Sequence, residues 1–444
     1  MTISVVFVGI VLALLALRGM NASERPYVLL LVLAHVVGAF GQVFVFEEYY
    51  GYGDLEGMVI YGRILCHLME LDPFRFVPEV MKLALHLSTN LPGEFSADST
   101  GTMVGLTGLV MFFVGPVKAG SCVVVSLFSM LGQLSLYKQV RELVAESERR
   151  LVLLGTLFVP SVVFWSSGLQ KEAFAIAFLG FACSGAMDLL LRRKLIAGSI
   201  KAIIGAVGVG LIKPYILFPL VLALGAWFFA ASFKDRKVTG RTVGYVVVAL
   251  AVAVVGVLAL GRAFPSFSID SVGATAADLQ RAGAGMHSAN DSYVAIGDSS
   301  EKSLVGQGQY FPLALINTLF RPVLIEVRGP VILAAALEMT IISVFMIRVL
   351  ARLRDPRVRH EIRTSPPLVF CIAFVVTFAV GVGIATTNMG TLSRYRMPMM
   401  PFYVTALLVI HRRTSKQALE RGEETADAEN DESAGATGTS EPAS

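Results

Sequence analysis

The chain is 444 residues long, 55% apolar and only 16% charged, with a formal charge of +4 and a mean hydropathy of +0.68. A soluble domain usually carries about 25% charged residues; here the charges are missing from blocks close to the ~20 residues that cross a bilayer, so a soluble globular domain is excluded and a polytopic membrane protein is expected. No basic face on a soluble domain is present to bind nucleic acid, and Cys66, Cys122, Cys183 and Cys371 lack the paired spacing of a disulfide framework or a zinc site.

The first apolar block, 3–17, lacks the basic lead-in and cleavage site of a signal peptide and is expected to stay as a helix. A second span is expected over 27–46. It runs into EEYYGYGDLEGMVIYGR, residues 47–63, where Glu47, Glu48 and Asp54 follow the membrane directly. Tyr61 lies seven residues past Asp54, on the same face of a helix that starts there. A carboxylate just outside a membrane can act as a general base or hold a divalent cation, Mg²⁺ or Mn²⁺. An acidic, glycine-rich connector would carry the same residues. Further along, 56–70 and 76–88 have the helical apolar spacing of segments that lie on a membrane surface.

Further spans are expected over 103–115, 119–137, 151–166, 173–191, 195–211, 214–233, 242–261, 329–347, 367–386 and 398–411. Basic loops mark the cytoplasmic side. Placing Arg18/Arg25, 138–150, 192–194, 234–241, 348–363 and Arg412/Arg413 inside gives a consistent alternation from residue 138 onward and puts 47–102, 165–172, 262–328 and 387–396 outside. Parity fails if 103–115 and 119–137 both cross. The first of the pair is short and ends at Gly115-Pro116, and reading it as re-entrant gives about 11 to 13 membrane helices. The transmembrane domain is then 1–412, with outer loops 47–102 and 262–328. The remainder, 413–444, is acidic and too polar to bury a core, and is expected to be a disordered cytoplasmic tail.

Four more polar clusters fall on the outer side. VPSVVFWSSGLQKEAF, residues 159–174, interrupts an apolar run with Trp165, Ser166, Ser167, Lys171 and Glu172. An anchored hairpin explains the tryptophan and a glutamate in a first helical turn, but it does not require Ser-Ser-Gly beside Lys-Glu. Lys213 sits between two long spans, where a snorkelling lysine is the plain alternative. LFRPVLIEVRGP brings Arg321, Glu326 and Arg328 to the head of a span, and TNMGTLSRYRMPMMPF brings Arg394, Tyr395 and Arg396 to the head of the last one. Cations on a non-cytoplasmic face run against the charge rule, and an anionic ligand supplies a reason, since arginine suits bidentate phosphate contacts. Outward carboxylates with outward Lys and Arg describe a site for a lipid-linked phosphate or diphosphate. The carboxylate would deprotonate or orient an acceptor, and the cations would neutralise phosphate as its bond to sugar C1 breaks. The stretch Trp165 to Glu172 is expected to form one wall of that site.

At these residues the chain resembles the bacterial multi-spanning glycosyltransferases of the GT-C type, which use polyprenyl-phosphate sugars. That group has an Asp followed by a Tyr in the first extracytoplasmic loop, as at Asp54 and Tyr61, and a second acid at the outer start of a later helix, as at Glu172. It ends with an Arg-Tyr-rich segment and a proline before the last span, as at Ser393-Arg394-Tyr395-Arg396 and Pro398. The stretch 160–172 also resembles uncharacterised bacterial membrane proteins linked with surface polysaccharide assembly. The resemblance covers about residues 40–402 and implies an all-α, GT-C-like bundle in the bacterial cytoplasmic membrane with its C-terminus in the cytoplasm. It departs at Glu172, where the group more often has Asp, and at the neighbouring Lys171. Both Asp54 and Glu172 therefore stay candidates for the catalytic base. With them, Tyr61, Trp165, Lys171, Lys213, Arg321, Arg394, Tyr395 and Arg396 are expected at the substrate. The expected activity is transfer of a sugar from a polyprenyl-phosphate donor to a lipid-linked glycan or protein acceptor. A Wzy-like polymerase or O-antigen ligase would show an arginine-dominated site, and a flippase of lipid-linked oligosaccharide would carry its cations within the spans.

Overall fold

The computed structural model describes residues 2–51, 53–192, 194–232, 254–268, 271–285, 296 and 300–415. Prolines and polar caps set most helix boundaries. Helix α1 (Ile3–Leu17) begins where the Thr2 hydroxyl accepts from the Val5 amide, and α2 (Arg25–Phe44) begins at Pro26 and runs on through a π-type turn, Val45–Tyr49. Asp72 ends α3 (Asp54–Leu71) and caps α4 (Pro73–Ala84) by accepting from the Arg75 amide at 3.1 Å. Asp98 caps α5 (Ser99–Val114) through the amides of Thr100 and Gly101, at 2.7 and 3.0 Å. That helix stops at Gly115, whose φ of +93° favours glycine, just ahead of Pro116.

Helix α6 (Lys118–Val140) follows. Pro160 then divides the expected span 151–166 into α7 (Arg149–Leu157) and α8 (Pro160–Trp165), because a proline ring cannot donate to the helical ladder. Next come α9 (Lys171–Leu190), α10 (Leu195–Ile212) and α11 (Leu217–Ser232), the last entered through a 3-10 turn at Pro214–Ile216. The later elements are α12 (Val254–Ala263), α13 (Val272–Gly285), α14 (Leu304–Gly308), α15 (Phe311–Phe320), α16 (Pro330–Arg352), α17 (Pro356–Thr364), α18 (Pro366–Ala385), α19 (Met389–Tyr395) and α20, residues 400–415. No strand occurs among the described residues.

Seven helical stretches among the described residues are long and apolar enough to cross a bilayer: Arg25–Tyr49, Lys118–Val140, Lys171–Leu190, Leu195–Ile212, Pro214–Ala231, Pro330–Arg352 and Pro366–Ala385. The described residues are all-helical, and these stretches make the protein a multi-pass membrane protein. The count is below the expected 11 to 13 because several expected spans are shorter helices. Helix α5, at 16 residues, reaches about 24 Å, less than the ~30 Å hydrocarbon layer. Helices α1 and α20 are likewise short, and the α7–α8 run is broken. The expected span 242–261 is described only from residue 254. The basic loop 234–241, residues 286–295 and 297–299 of the outer loop 262–328, and residues 416–444 lie outside the described residues.

Helix α9 is the hub, buried along most of its length. It reaches its neighbours through glycines: a Cβ on Gly180 would lie 2.1 Å from the Gly132 carbonyl of α6, and one on Gly205 of α10 would lie 2.2 Å from the Ala182 amide. Small residues that let backbones approach are how helices pack where lipid supplies no hydrophobic drive. This packing locks the middle of α9 against α6 and α10. At its far end, Asp188 pairs with Lys201 and accepts from Gln139, about 24 Å along the helix from Glu172. The Glu24–Arg141–Tyr137 cluster sits at the end of α6, among the basic residues of 138–150, and Arg413, in the last turn of α20, pairs with Glu148.

Candidate functional site

Three helix starts and two inter-helix joints meet at one end of the bundle. Asp54 opens α3, Lys171 and Glu172 open α9, and Ser99 and Thr100 open α5. Lys213 occupies the joint between α10 and α11, and Arg394 and Tyr395 end the short α19, which Asn388 caps. Helix N-termini carry partial positive charge and free amides, so their convergence favours an anion.

The charged side chains form a continuous chain across 340 residues of sequence. Lys213 Nζ donates to Glu172 Oε1 at 2.6 Å, and Arg394 Nε pairs with the same oxygen at 2.8 Å. Arg394 Nη1 in turn donates to Asp54 Oδ2 at 2.6 Å. Lys171 Nζ stands apart from this chain and donates to the hydroxyls of Ser99 and Thr100, at 3.0 and 2.9 Å. The Lys213 ammonium lies 4.4 Å from the centre of the Tyr395 ring, a cation–π contact. All of these residues except Ser99 line a cavity of about 260 Å³, completed by Met58, Met103 and Gln170. Three cations against two carboxylates leave it one positive charge in excess.

Burial separates the two carboxylates. The Glu172 side chain is 0% exposed and already serves two cations, whereas that of Asp54 is 61% exposed. Asp54 is therefore the carboxylate that a bound molecule can reach, while Glu172 holds Lys213 and Arg394 in place. Burial works against the Arg394 charge, but Glu172 and Asp54 outweigh it and hold the guanidinium above its ordinary pKa. Burial also raises the Tyr395 phenol, and at neutral pH it presents a neutral ring and hydroxyl. Both carboxylates are directed at Arg394, and among the described residues no three of His, Cys, Asp or Glu gather where they could share an ion. As these side chains stand, they do not fit the Mg²⁺ or Mn²⁺ considered from the sequence.

The expected site residues divide into two groups. Asp54, Lys171, Glu172, Lys213, Arg394 and Tyr395 all line the cavity. Four others do not. Tyr61 is 48% exposed and rests its ring 6.2 Å from Phe95; the cavity uses the first turn of α3 through Asp54 and Met58, and position 61 lies beyond it. Trp165 is buried behind the cavity, with its ring 6.0 Å from the Arg394 guanidinium carbon. Arg321 is engaged by Glu326 and Asn317. Arg396 is fully buried and donates to the Arg321 carbonyl. It follows Arg394 by two residues, a spacing that puts side chains on different helix faces.

The expected wall Trp165 to Glu172 is also only partly a wall. Gln170, Lys171 and Glu172 face the cavity, while Ser166 and Ser167 are buried in a polar lock. Ser166 Oγ accepts from Gln133 at 3.3 Å, and Ser167 Oγ accepts from Ser126 at 3.0 Å, which also hydrogen-bonds His35 Nδ1 at 2.9 Å. These bonds tie the turn to α2 and α6, so Ser-Ser serves to position the turn. The sequence does not single out Gln170, Thr100, Met58 or Met103. None carries a charge; Thr100 falls in the expected outer loop 47–102 and Met103 at the start of the expected span 103–115.

No protein-family model, no curated protein and no solved structure matches this chain.

Proposed function

We propose that the protein is a GT-C-like membrane glycosyltransferase, taking a sugar from a polyprenyl-phosphate donor and passing it to a lipid-linked glycan or protein acceptor on the extracytoplasmic face of the bacterial cytoplasmic membrane. The observation that carries this reading is the unbroken ionic chain Lys213–Glu172–Arg394–Asp54, built from four distant segments around one cavity. Sidedness follows from charge. The basic residues of 138–150 and Arg412/Arg413 belong on the cytoplasmic side by the positive-inside rule, and Lys171–Leu190, a full span, separates Glu172 from that end.

In the reaction, the acceptor hydroxyl oxygen forms a bond to sugar C1 as the bond from C1 to the phosphate oxygen breaks. Asp54 takes the hydroxyl proton. The electron pair leaves on the polyprenyl phosphate, where Arg394 and Lys171 stabilise the developing charge. Glu172 fixes Arg394 and Lys213 so that little reorganisation is needed. A positioned general base contributes about 10²- to 10⁴-fold. Purified protein in proteoliposomes, supplied with labelled polyprenyl-phosphate sugar and a membrane extract as acceptor, should transfer label, and Asp54→Asn should slow transfer about 100-fold or more while leaving the fold intact. Undiminished transfer by Asp54→Asn contradicts its role as base. Dependence on Arg394 with indifference to Asp54 points instead to a polymerase or ligase of the arginine-dominated kind.

A further inference from the structure

Two residues that line the cavity each carry a buried side-chain oxygen that the ion pairs leave over. Glu172 engages Lys213 and Arg394 through Oε1; Oε2 is buried and has no hydrogen-bond partner among the described residues. The second is on Gln170, which is 1% exposed. A backbone carbonyl fixes which way its amide faces. The Phe164 carbonyl can only accept, so Gln42 turns its NH₂ toward it, at 2.8 Å, and leaves Oε1 for Gln170. Gln170 answers with its own NH₂, at 2.8 Å, and its Oε1 is left buried and without a partner among the described residues. Gly168 permits this pairing, since a Cβ there would stand 2.7 Å from Gln42 Oε1. Buried acceptors without donors are rare in folded proteins. Here two of them belong to residues that line one cavity, which three cations share.

We propose that Gln170 Oε1 and Glu172 Oε2 recognise sugar hydroxyls, each accepting a hydrogen bond from the glycosyl group whose phosphate rests on Lys171 and Arg394. This deepens the glycosyltransferase reading and rests on it. A phosphate cannot satisfy either oxygen, because an ionised phosphate offers acceptors only. A ligand that is anionic at one end and rich in hydroxyls at the other satisfies the cations and the acceptors together. The cavity's 260 Å³ falls just below the ~300–1,000 Å³ of pockets for drug-sized ligands. It suits one sugar ring rather than an oligosaccharide. Sites built to hydrogen-bond a hydroxyl discriminate strongly against ligands that lack it.

Binding to the full-length protein in nanodiscs tests this with three probes: undecaprenyl phosphate, a panel of undecaprenyl-phosphoryl hexoses and pentoses, and an undecaprenyl-phosphoryl trisaccharide. At least one monosaccharide lipid should bind about tenfold or more tighter than undecaprenyl phosphate, and the trisaccharide lipid should show no such gain. Gln170→Leu should erase the gain while undecaprenyl phosphate binds as before, which also shows that the variant is folded. If the variant loses both, the wild-type panel alone decides. A panel in which no sugar improves on undecaprenyl phosphate, or a gain that survives in a folded Gln170→Leu, overturns the assignment and leaves the preceding reading standing. Failure of undecaprenyl phosphate itself to bind contradicts both.

Discussion

Glu172 is the residue on which the site's geometry turns, since it is buried and meets two cations on one oxygen. Removing one partner of a buried charge pair costs about 3–5 kcal/mol, mostly by stranding the other charge. Glu172→Gln should therefore weaken folding in detergent, measured by denaturant titration, and Lys213→Met should do the same. Because the two act as a unit, the double variant should lose less than the sum, with a coupling of about 0.5–3 kcal/mol; strict additivity would mean that the pair does not form. Asp54, Glu172, Lys213 and Arg394 were all legible in the sequence, because charges at the ends of apolar spans are costly and invite a reason. Gln170 was not legible, since a neutral amide in a polar turn gives no electrostatic signal and its role depends on Gln42, 128 positions away. Arg396 was misread for another reason. Nothing in SRYR says which arginine a short helix will turn inward.

Among the elements, α9 decides where the site lies, because its first turn supplies Lys171 and Glu172 and its glycine contacts lock it to α6 and α10. Gly180→Val would push a side chain into the Gly132 carbonyl and should destabilise the fold by at least ~1–3 kcal/mol. Gly381→Ala on α18 is the control: its Cβ meets nothing within 4 Å, and the change should be neutral or stabilising by up to ~1 kcal/mol. Equal losses from the two, read as apparent melting temperature in detergent, would remove close backbone approach as the reason for the glycine. Hydropathy made the long spans visible, and amphipathic spacing gave the pair now seen as α3 and α4. It could not separate a full crossing from a 16-residue helix such as α5, nor foresee that Pro160 divides α7 from α8.

Across the whole molecule, the described ion pairs gather at opposite ends of a helical bundle. One end joins Glu24 to Arg141 and Glu148 to Arg413; the other holds the cavity. The expectation that distant acidic and basic groups converge was met at ion-pair distance for Asp54, Glu172 and Arg394. The number of crossings was not legible, because it depends on how short helices sit in a bilayer. The most direct measurement of the central claim is sided labelling of Asp54→Cys in intact cells with a membrane-impermeant thiol reagent. The four native cysteines are buried, so the unaltered protein serves as the blank. The account predicts labelling from the extracytoplasmic side and protection by added polyprenyl phosphate. Labelling only after the cytoplasm is opened, or labelling that polyprenyl phosphate does not slow, would contradict it.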